Sequence, residues 1–209
     1  MVFETDTFVP AALLASHVPV LSVGGIAKQW LVPGWRVGWI LIHDPLGVFE
    51  HVRTGLLALS TTILGANSVV QVSHVTVQSL GLFALTRVKQ GALPHILRDT
   101  PTEFYAETNT KLKTHAEYLV SRLSHVPGLR CIAPRGAMYM MVGIELQQFK
   151  DIADDMCFAL ELLREQSLAV LPGQAFRMKN YIRLVTCAPL DVLIEACNRI
   201  EEFCRTHHI

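Results

Sequence analysis

From Thr100 to Leu123 the chain repeats side chains at helical spacing, through Phe104, Thr108, Leu112, His115/Ala116, Leu119 and Leu123. Thr100-Pro101-Thr102-Glu103 opens the run as a capping box with proline at the first helical position. Val126-Pro127-Gly128 stops it. At about 1.5 Å per residue such a helix exceeds ~30 Å, a length that suits a connector between two lobes. No other segment restricts the fold as strongly, because it sets a strand-rich front apart from a compact back.

The front reads as short strands and turns. Val18–Ser22 is a β-rich run that stops at Gly24-Gly25. Val37–His43 is almost continuously apolar, which predicts a strand buried on both faces of a parallel sheet. Asp44-Pro45 is its turn signal. Val52, Leu56, Leu59 and Ile63 then predict a helix from Glu50 to about Ile63. In the back, Ala137–Ile144, Leu168–Leu171 and Tyr181–Thr186 read as strands. A helix is predicted from Asp154-Asp155, acids suited to a helix start, to Glu165. A closing helix buries Leu193, Ala196/Cys197, Ile200 and Phe203/Cys204. Its wet face carries the i,i+4 pairs Glu195–Arg199 and Glu201–Arg205, which serve solubility.

Composition removes several function classes. Eighteen basic and 18 acidic side chains leave no charge excess for a polyanion, so no nucleic-acid partner is expected. With 51% hydrophobic residues the chain is too apolar for disorder, and 209 residues make one domain or one and a half. Five cysteines, an odd number without a C-x-x-C pair, read as reduced core thiols. The nine histidines are scattered, so no metal site is expected. Glu4, Asp6, Pro10 and Ser16 break any secretory signal, and a cytoplasmic chain is expected. Thr54 to Thr86 holds no charged residue, yet Asn67, Gln71, Ser73, His74 and Gln78 interrupt it. A buried helix or loop fits that stretch better than a bilayer span, so no membrane partner is expected.

The stretch that carries chemistry is Gly24 to Gly38. Lys28 follows two glycines among apolar neighbours, and desolvation there would leave a neutral amine to attack a carbonyl. Gly24 and Gly25 permit a tight turn and close approach of backbone to a ligand. Arg36, after Pro33-Gly34, could clamp a phosphate bidentately. An amine for an aldehyde and a guanidinium for a phosphate are what pyridoxal 5'-phosphate requires. Taken alone, however, such a pair is usually surface charge.

Gly25-Ile26-Ala27-Lys28, Leu31-Val32, Gly34 and Arg36-Val37-Gly38 resemble the attachment site of class-I pyridoxal-phosphate aminotransferases. The similarity continues through Arg135-Gly136-Ala137-Met138-Tyr139, Val170-Leu171-Pro172-Gly173 and Tyr181-Ile182-Arg183. It implies an α/β, fold-type I PLP-dependent transferase, truncated to the C-terminal part of the large domain plus the small α/β domain. The implied bounds are 1–99 for the large-domain part, 100–126 for the interdomain helix and 127–209 for the small domain. The resemblance gives Lys28 the cofactor Schiff base and proton shuttle, Arg36 the phosphate, and Arg183 the substrate α-carboxylate. Where many relatives place a serine three before the lysine this chain has Gly25, and Ser22 is the candidate replacement. The implied reaction converts L-tyrosine and 2-oxoglutarate to 4-hydroxyphenylpyruvate and glutamate, in a homodimer. Alanine- or kynurenine-type aminotransferases share the lysine pattern, and a non-catalytic remnant is the other alternative. Trp30, Met138 and Tyr139 could equally be core or walls of an aromatic pocket.

Two departures from the family stand out. The half that supplies the pyridine-nitrogen aspartate and the ring-stacking aromatic is expected to precede Met1, which makes this chain an inactive fragment. Val72 to Gln90 is an extra segment between a V-V-Q-like sequence and Gly91-Ala92-Leu93, read as an unspliced short intron or a lineage-specific insertion. A mean hydropathy of +0.35 fits a chain whose sheet and interface surfaces lack their cover and which is poorly soluble alone.

Overall fold

Contacts within the chain divide it into two compact units, Thr7–Thr102 and Glu103–Ile209, with Met1–Asp6 joined to the second. The structure is a computed structural model and describes residues 1–3, 7–15, 17–62 and 93–209. The extra segment 72–90 lies outside the described residues, as does most of the uncharged stretch.

In the unit Thr7–Thr102, a short helix α1 (Ala11–Leu14) precedes an antiparallel ribbon of β1 (Val20–Gly25) and β2 (Gly38–His43). Pairing runs from Val20↔His43 to Gly25↔Gly38. The loop between the strands holds a single helical turn, α2 (Ile26–Gln29), and a 3-10 turn at Pro33–Trp35. A helix α3 (Glu50–Thr62) follows, with a further helical segment at 93–99. Asp44 links β2 to α3 by accepting from the amides of Val48 at 3.0 Å and Phe49 at 2.7 Å. The Phe49 bond is the main reason its carboxyl lies below the ordinary value. The Asp-Pro turn signal therefore has a mechanism, an aspartate satisfying the amides that open a helix.

Two expectations for this unit do not hold. β1 passes through Gly24-Gly25 rather than stopping before them. A Cβ on Gly24 would enter the Trp39 indole, so the glycine is what lets the two strands close. β2 is antiparallel, and Ile40 and Leu41 are 44% and 61% exposed, so it is not a strand buried in a parallel sheet. A continuous apolar run sets strand length and apolar character, but carries no information on the direction of its partner.

The second unit is built on α4 (Thr102–Leu123). Its buried stripe is Leu112, Ala116, Leu119 and Leu123, as the spacing requires. The capping box does not form. Thr100 Oγ1 donates to the Ile96 carbonyl at 2.5 Å and accepts from Trp30 Nε1 at 3.1 Å, and Pro101 precedes the first helical residue. A tertiary indole bond has taken the hydroxyl that a local cap would have used.

Behind α4 comes a wholly antiparallel sheet of β3 (Leu129–Ile132), β4 (Tyr139–Ile144), β5 (Leu171–Pro172) and β6 (Tyr181–Val185), in the order β3-β4-β6-β5. β3 has no counterpart among the predicted strands. The strand expected at Leu168–Leu171 shrinks to the two residues of β5. Two helices complete the unit, α5 (Asp155–Gln166) and α6 (Leu190–His207). Asp154 caps α5 by accepting from the Cys157 amide at 2.8 Å.

Period-two alternation puts Met140, Val142, Ile144, Ile182 and Leu184 in one core with Leu119, Leu123, Phe158, Leu162, Ile200 and Phe203 of the three helices. Phe158 sits at its centre, edge-on to Phe149 at 5.8 Å and to Phe203 at 5.0 Å. A smaller cluster of Phe3, Leu112, Ala116 and Met138 brings the chain start into this unit. There Phe3 N donates to Arg135 O at 3.0 Å and Ala137 N to Met1 O at 3.1 Å. A Cβ on Gly136 would lie 2.6 Å from Met1 O, so this bridge needs the glycine.

Glu195–Arg199 pairs as expected at 2.9 Å, but Glu201 accepts from Arg122 Nε and Nη2 of α4, each at 2.9 Å, rather than from Arg205. A bidentate tertiary partner outcompetes the helical one. The cysteines are not all core. Burial pushes Cys197 up to about 11 and Cys204 up to about 12, while Cys187 is exposed and Cys131 and Cys157 are half-buried. Among the described residues no helix is long and apolar enough to cross a membrane.

Candidate functional site

The unit Thr7–Thr102 carries Lys28 and Arg36 on the one loop between β1 and β2. The antiparallel register closes that loop at Gly25↔Gly38, and Ile26 N donates to Val37 O at 3.3 Å. Ile26 is 1% exposed and anchors α2, so the Lys28 backbone hangs from a fixed point. Two non-glycine residues of the loop take the left-handed region, Leu31 at φ 58 and Arg36 at φ 51. Such conformations cost of order 1 kcal/mol or more each, and persist where the surroundings over-determine them. Arg36 Nη1 donates to Pro33 O at 3.2 Å. Trp30 and Trp39 meet edge-on at 6.4 Å at the base of the loop.

Lys28 is exposed, contrary to the burial its apolar neighbours predict. Those neighbours point elsewhere, because one helical turn has room to bury only one face, and that face is Ile26. The glycines also differ from expectation. The space beside Gly24 is filled by Trp39, and a Cβ on Gly25 would lie 3.1 Å from Val37 O. Both glycines serve the closing of the ribbon. Ser22 lies half-buried on β1 opposite Leu41.

The second unit carries Arg183 at the middle of β6, paired with Met141 of β4 and Leu171 of β5. Alternation turns Ile182 and Leu184 into the core, so Arg183 shares the opposite face with Tyr139, Met141 and Tyr181. Its guanidinium carbon stands 4.3 Å from the Tyr139 ring centroid and 4.2 Å from that of Phe176. Its Nε is buried and meets no hydrogen-bond acceptor among the described residues.

Phe176 ends a 3-10 turn, Gly173–Phe176, that Asp155 fixes from α5. The Asp155 carboxylate is fully buried and accepts from Gln174 N at 2.8 Å, Gln174 Nε2 at 3.1 Å and Asn180 N at 3.0 Å. Burial alone would raise its proton affinity, but the bonds from Gln174 and Asn180 outweigh that and hold it below the ordinary carboxylate value. A Cβ on Gly173 would lie 2.1 Å from the Met178 carbonyl oxygen. Phe176 and Asp155 were not legible as site residues. The only sequence signal was the Pro172-Gly173 turn, since neither residue falls on the strand period.

Two grooves lie elsewhere. One of about 600 Å³ runs between the ribbon and α3, lined by Gly24, Trp39, Ile42, Arg53 and Leu56. Another of about 660 Å³ lies between the ends of α4 and α6, by Arg122, His125 and Arg205. Neither is lined by Lys28, Arg36 or Arg183.

For a phosphorylated aldehyde the donor set fits: an exposed primary amine and an exposed guanidinium share one pinned loop. For a carboxylate, Arg183 offers an in-plane donor without a protein acceptor among the described residues.

Comparisons with known proteins give the family. A sequence model described as "Aminotransferase class I and II" matches residues 1–200. Tyrosine aminotransferase of Mus musculus is 44% identical over 209 residues, which is 100% of this chain and 42% of that protein. The Caenorhabditis elegans tyrosine aminotransferase is 41% identical over 204 residues, 98% of this chain and 39% of that one. The crystal structure of tyrosine aminotransferase from Leishmania infantum superposes with a TM-score of 0.84 at 33% identity, over 100% of this chain and 47% of its own. The chain thus spans about two fifths of the curated relatives it matches.

Proposed function

The chain belongs to the class I and II aminotransferase family, and from that premise we propose that it carries part of the machinery, as a chain spanning about two fifths of its relatives, by which the amino group of an aromatic amino acid, L-tyrosine, is transferred to 2-oxoglutarate with pyridoxal 5'-phosphate. Its mixed α/β build is that of the fold-type I PLP transferases. The observation that carries the proposal is the placing of Lys28 and Arg36 on one loop closed at Gly25↔Gly38.

Pyridoxal phosphate, when bound, supplies an electron sink for the bonds at an amino acid's Cα. Lys28 would hold its aldehyde carbon and, when displaced by the substrate amine, carry a proton between the substrate Cα and the cofactor. Arg36 would pair with the phosphate as a fork that a lysine cannot reproduce. Ser22 is the proposed hydroxyl contact to that phosphate. Arg183 would orient the substrate by its α-carboxylate, so that the Cα–H bond faces the lysine. By this reading the unit Thr7–Thr102 is the C-terminal part of a large cofactor domain, and the unit built on α4 is the small substrate domain. The family resemblance supports a homodimer, and the cysteine pattern supports a reducing, cytoplasmic setting.

The test is borohydride reduction of the chain incubated with pyridoxal phosphate, followed by peptide mapping. Label trapped on Lys28, absent from Lys89, Lys111, Lys113, Lys150 and Lys179, is the expected result. Label spread evenly over the lysines would overturn the assignment. Amino-group transfer from alanine or kynurenine in preference to tyrosine would move the protein to a neighbouring branch of the family.

A further inference from the structure

The donors of a guanidinium lie in its plane, so its faces can be occupied while its edge stays open to a carboxylate. Arg183 has two rings against its guanidinium and an in-plane Nε, buried, with no acceptor among the described residues. Tyr139 and Phe176 approach its central carbon at 4.3 and 4.2 Å, well inside the ~6 Å within which a cation and a ring attract. The two rings arrive from different parts of the fold. Tyr139 opens β4, next to the strand that carries Arg183. Phe176 comes from the turn that the buried Asp155 carboxylate fixes through Gln174 and Asn180.

Restricting a long, rotamer-rich side chain before a ligand arrives removes part of the ordering cost of binding it. The buried Nε without an acceptor among the described residues shows which part of the guanidinium the protein leaves unmet. We propose that Tyr139 and Phe176 are positioning residues which hold the Arg183 guanidinium flat for in-plane recognition of a substrate carboxylate, with Asp155 setting the place of Phe176. This rests on the carboxylate role given to Arg183 above. Neither ring need touch the substrate; both act through the arginine.

The test uses the full chain with ¹⁵N-labelled arginine, the Arg183 Nε–H resonance being assigned by its loss in Arg183→Lys. Ring faces shield nearby protons, so this resonance lies upfield of the exposed arginines in the wild type and in Phe176→Tyr. In Phe176→Leu it moves downfield. Titration with 3-(4-hydroxyphenyl)propionate, an aromatic carboxylate with no amino group, then shifts the same resonance. Its dissociation constant rises on the order of tenfold in Phe176→Leu, the scale of one cation–π contact, and returns in Phe176→Tyr.

Phe176 is 41% exposed, so truncating it spares the core. Tyr139→Leu carries the same reading should Phe176→Leu fail to fold. Unchanged affinity in the leucine variants overturns the positioning role and leaves the carboxylate reading standing. No shift of the wild-type Arg183 resonance on titration overturns both.

Discussion

The two units divide the labour of burial unequally. The one built on α4 encloses a continuous core from Leu119 to Cys204, with Phe158, Leu162, Val142, Ile182 and Phe203 at 0% exposure. Among the described residues of Thr7–Thr102, Ile26 is the one buried hydrophobic side chain, while Val23 is 80% exposed and Leu57 63%. The two candidate sites follow the same division. Arg183 is stacked and supported from behind, whereas Lys28 and Arg36 sit exposed on a loop whose definition comes from strand register and backbone geometry. Aromatic and carboxylate supports hold a side chain in place; a ribbon closed by glycines holds a backbone in place and leaves the side chains of its loop exposed.

Core truncation tests that contrast most severely. Phe158→Ala should cost about 3–5 kcal/mol by urea denaturation, since it opens a cavity between Phe149 and Phe203. Leu57→Ala on α3 should stay within about 0.5 kcal/mol. Equal losses would erase the distinction between the units.

Asp155→Asn comes next, at about 2–3 kcal/mol, because it disturbs a buried charged acceptor of three hydrogen bonds. The sign with pH follows from its depressed folded value. Its stabilisation is present above the unfolded carboxylate value of 3.8 and is lost as pH falls through the lower folded value. A variant whose acid unfolding matched the wild type would show that the turn carrying Phe176 is held by something else.

His207 should give a smaller effect of opposite sign. Its Nδ1 meets Asp151 at 2.7 Å and its Nε2 meets Glu165 at 3.0 Å, so both ring nitrogens donate when it is protonated. Burial lowers its proton affinity, but the bonds to Glu165 and Asp151 outweigh that and leave it raised. Its contribution, about 1 kcal/mol, is complete below 6.5 and is lost as pH rises through the raised folded value. Melting temperatures measured across that window should fall in the wild type and stay flat in His207→Asn. The smallest change in stability is expected of Lys28→Ala, within about 0.5 kcal/mol, although it removes the borohydride label. A large loss would mean that the lysine is a structural member of its loop.

The long helix was legible because Leu112, Ala116, Leu119 and Leu123 keep one period over about three turns, and periodicity is a local property. Its cap was misread because Thr100 found Trp30, a partner 70 residues away. β4, β6 and α6 were legible for the same local reason, while β3 and the short β5 were too brief to show a period. Lys28, Arg36 and Arg183 could be picked out by motif, since reactive residue types at fixed spacing are written in the chain itself. Tyr139 was visible as an aromatic without a role, and Asp155 looked like an ordinary helix-start acid.

By itself the sequence determined most of the helices and strands, which family the chain belongs to, and which amine and guanidinia are the candidates for its chemistry. These depend on residue type and near-neighbour spacing. Tertiary structure decided the direction in which β2 pairs, which unit owns a core, and that Arg183 lies against two rings with Asp155 behind one of them. Those outcomes depend on contacts between residues far apart in the chain, and no local period encodes which of several apolar or charged partners wins.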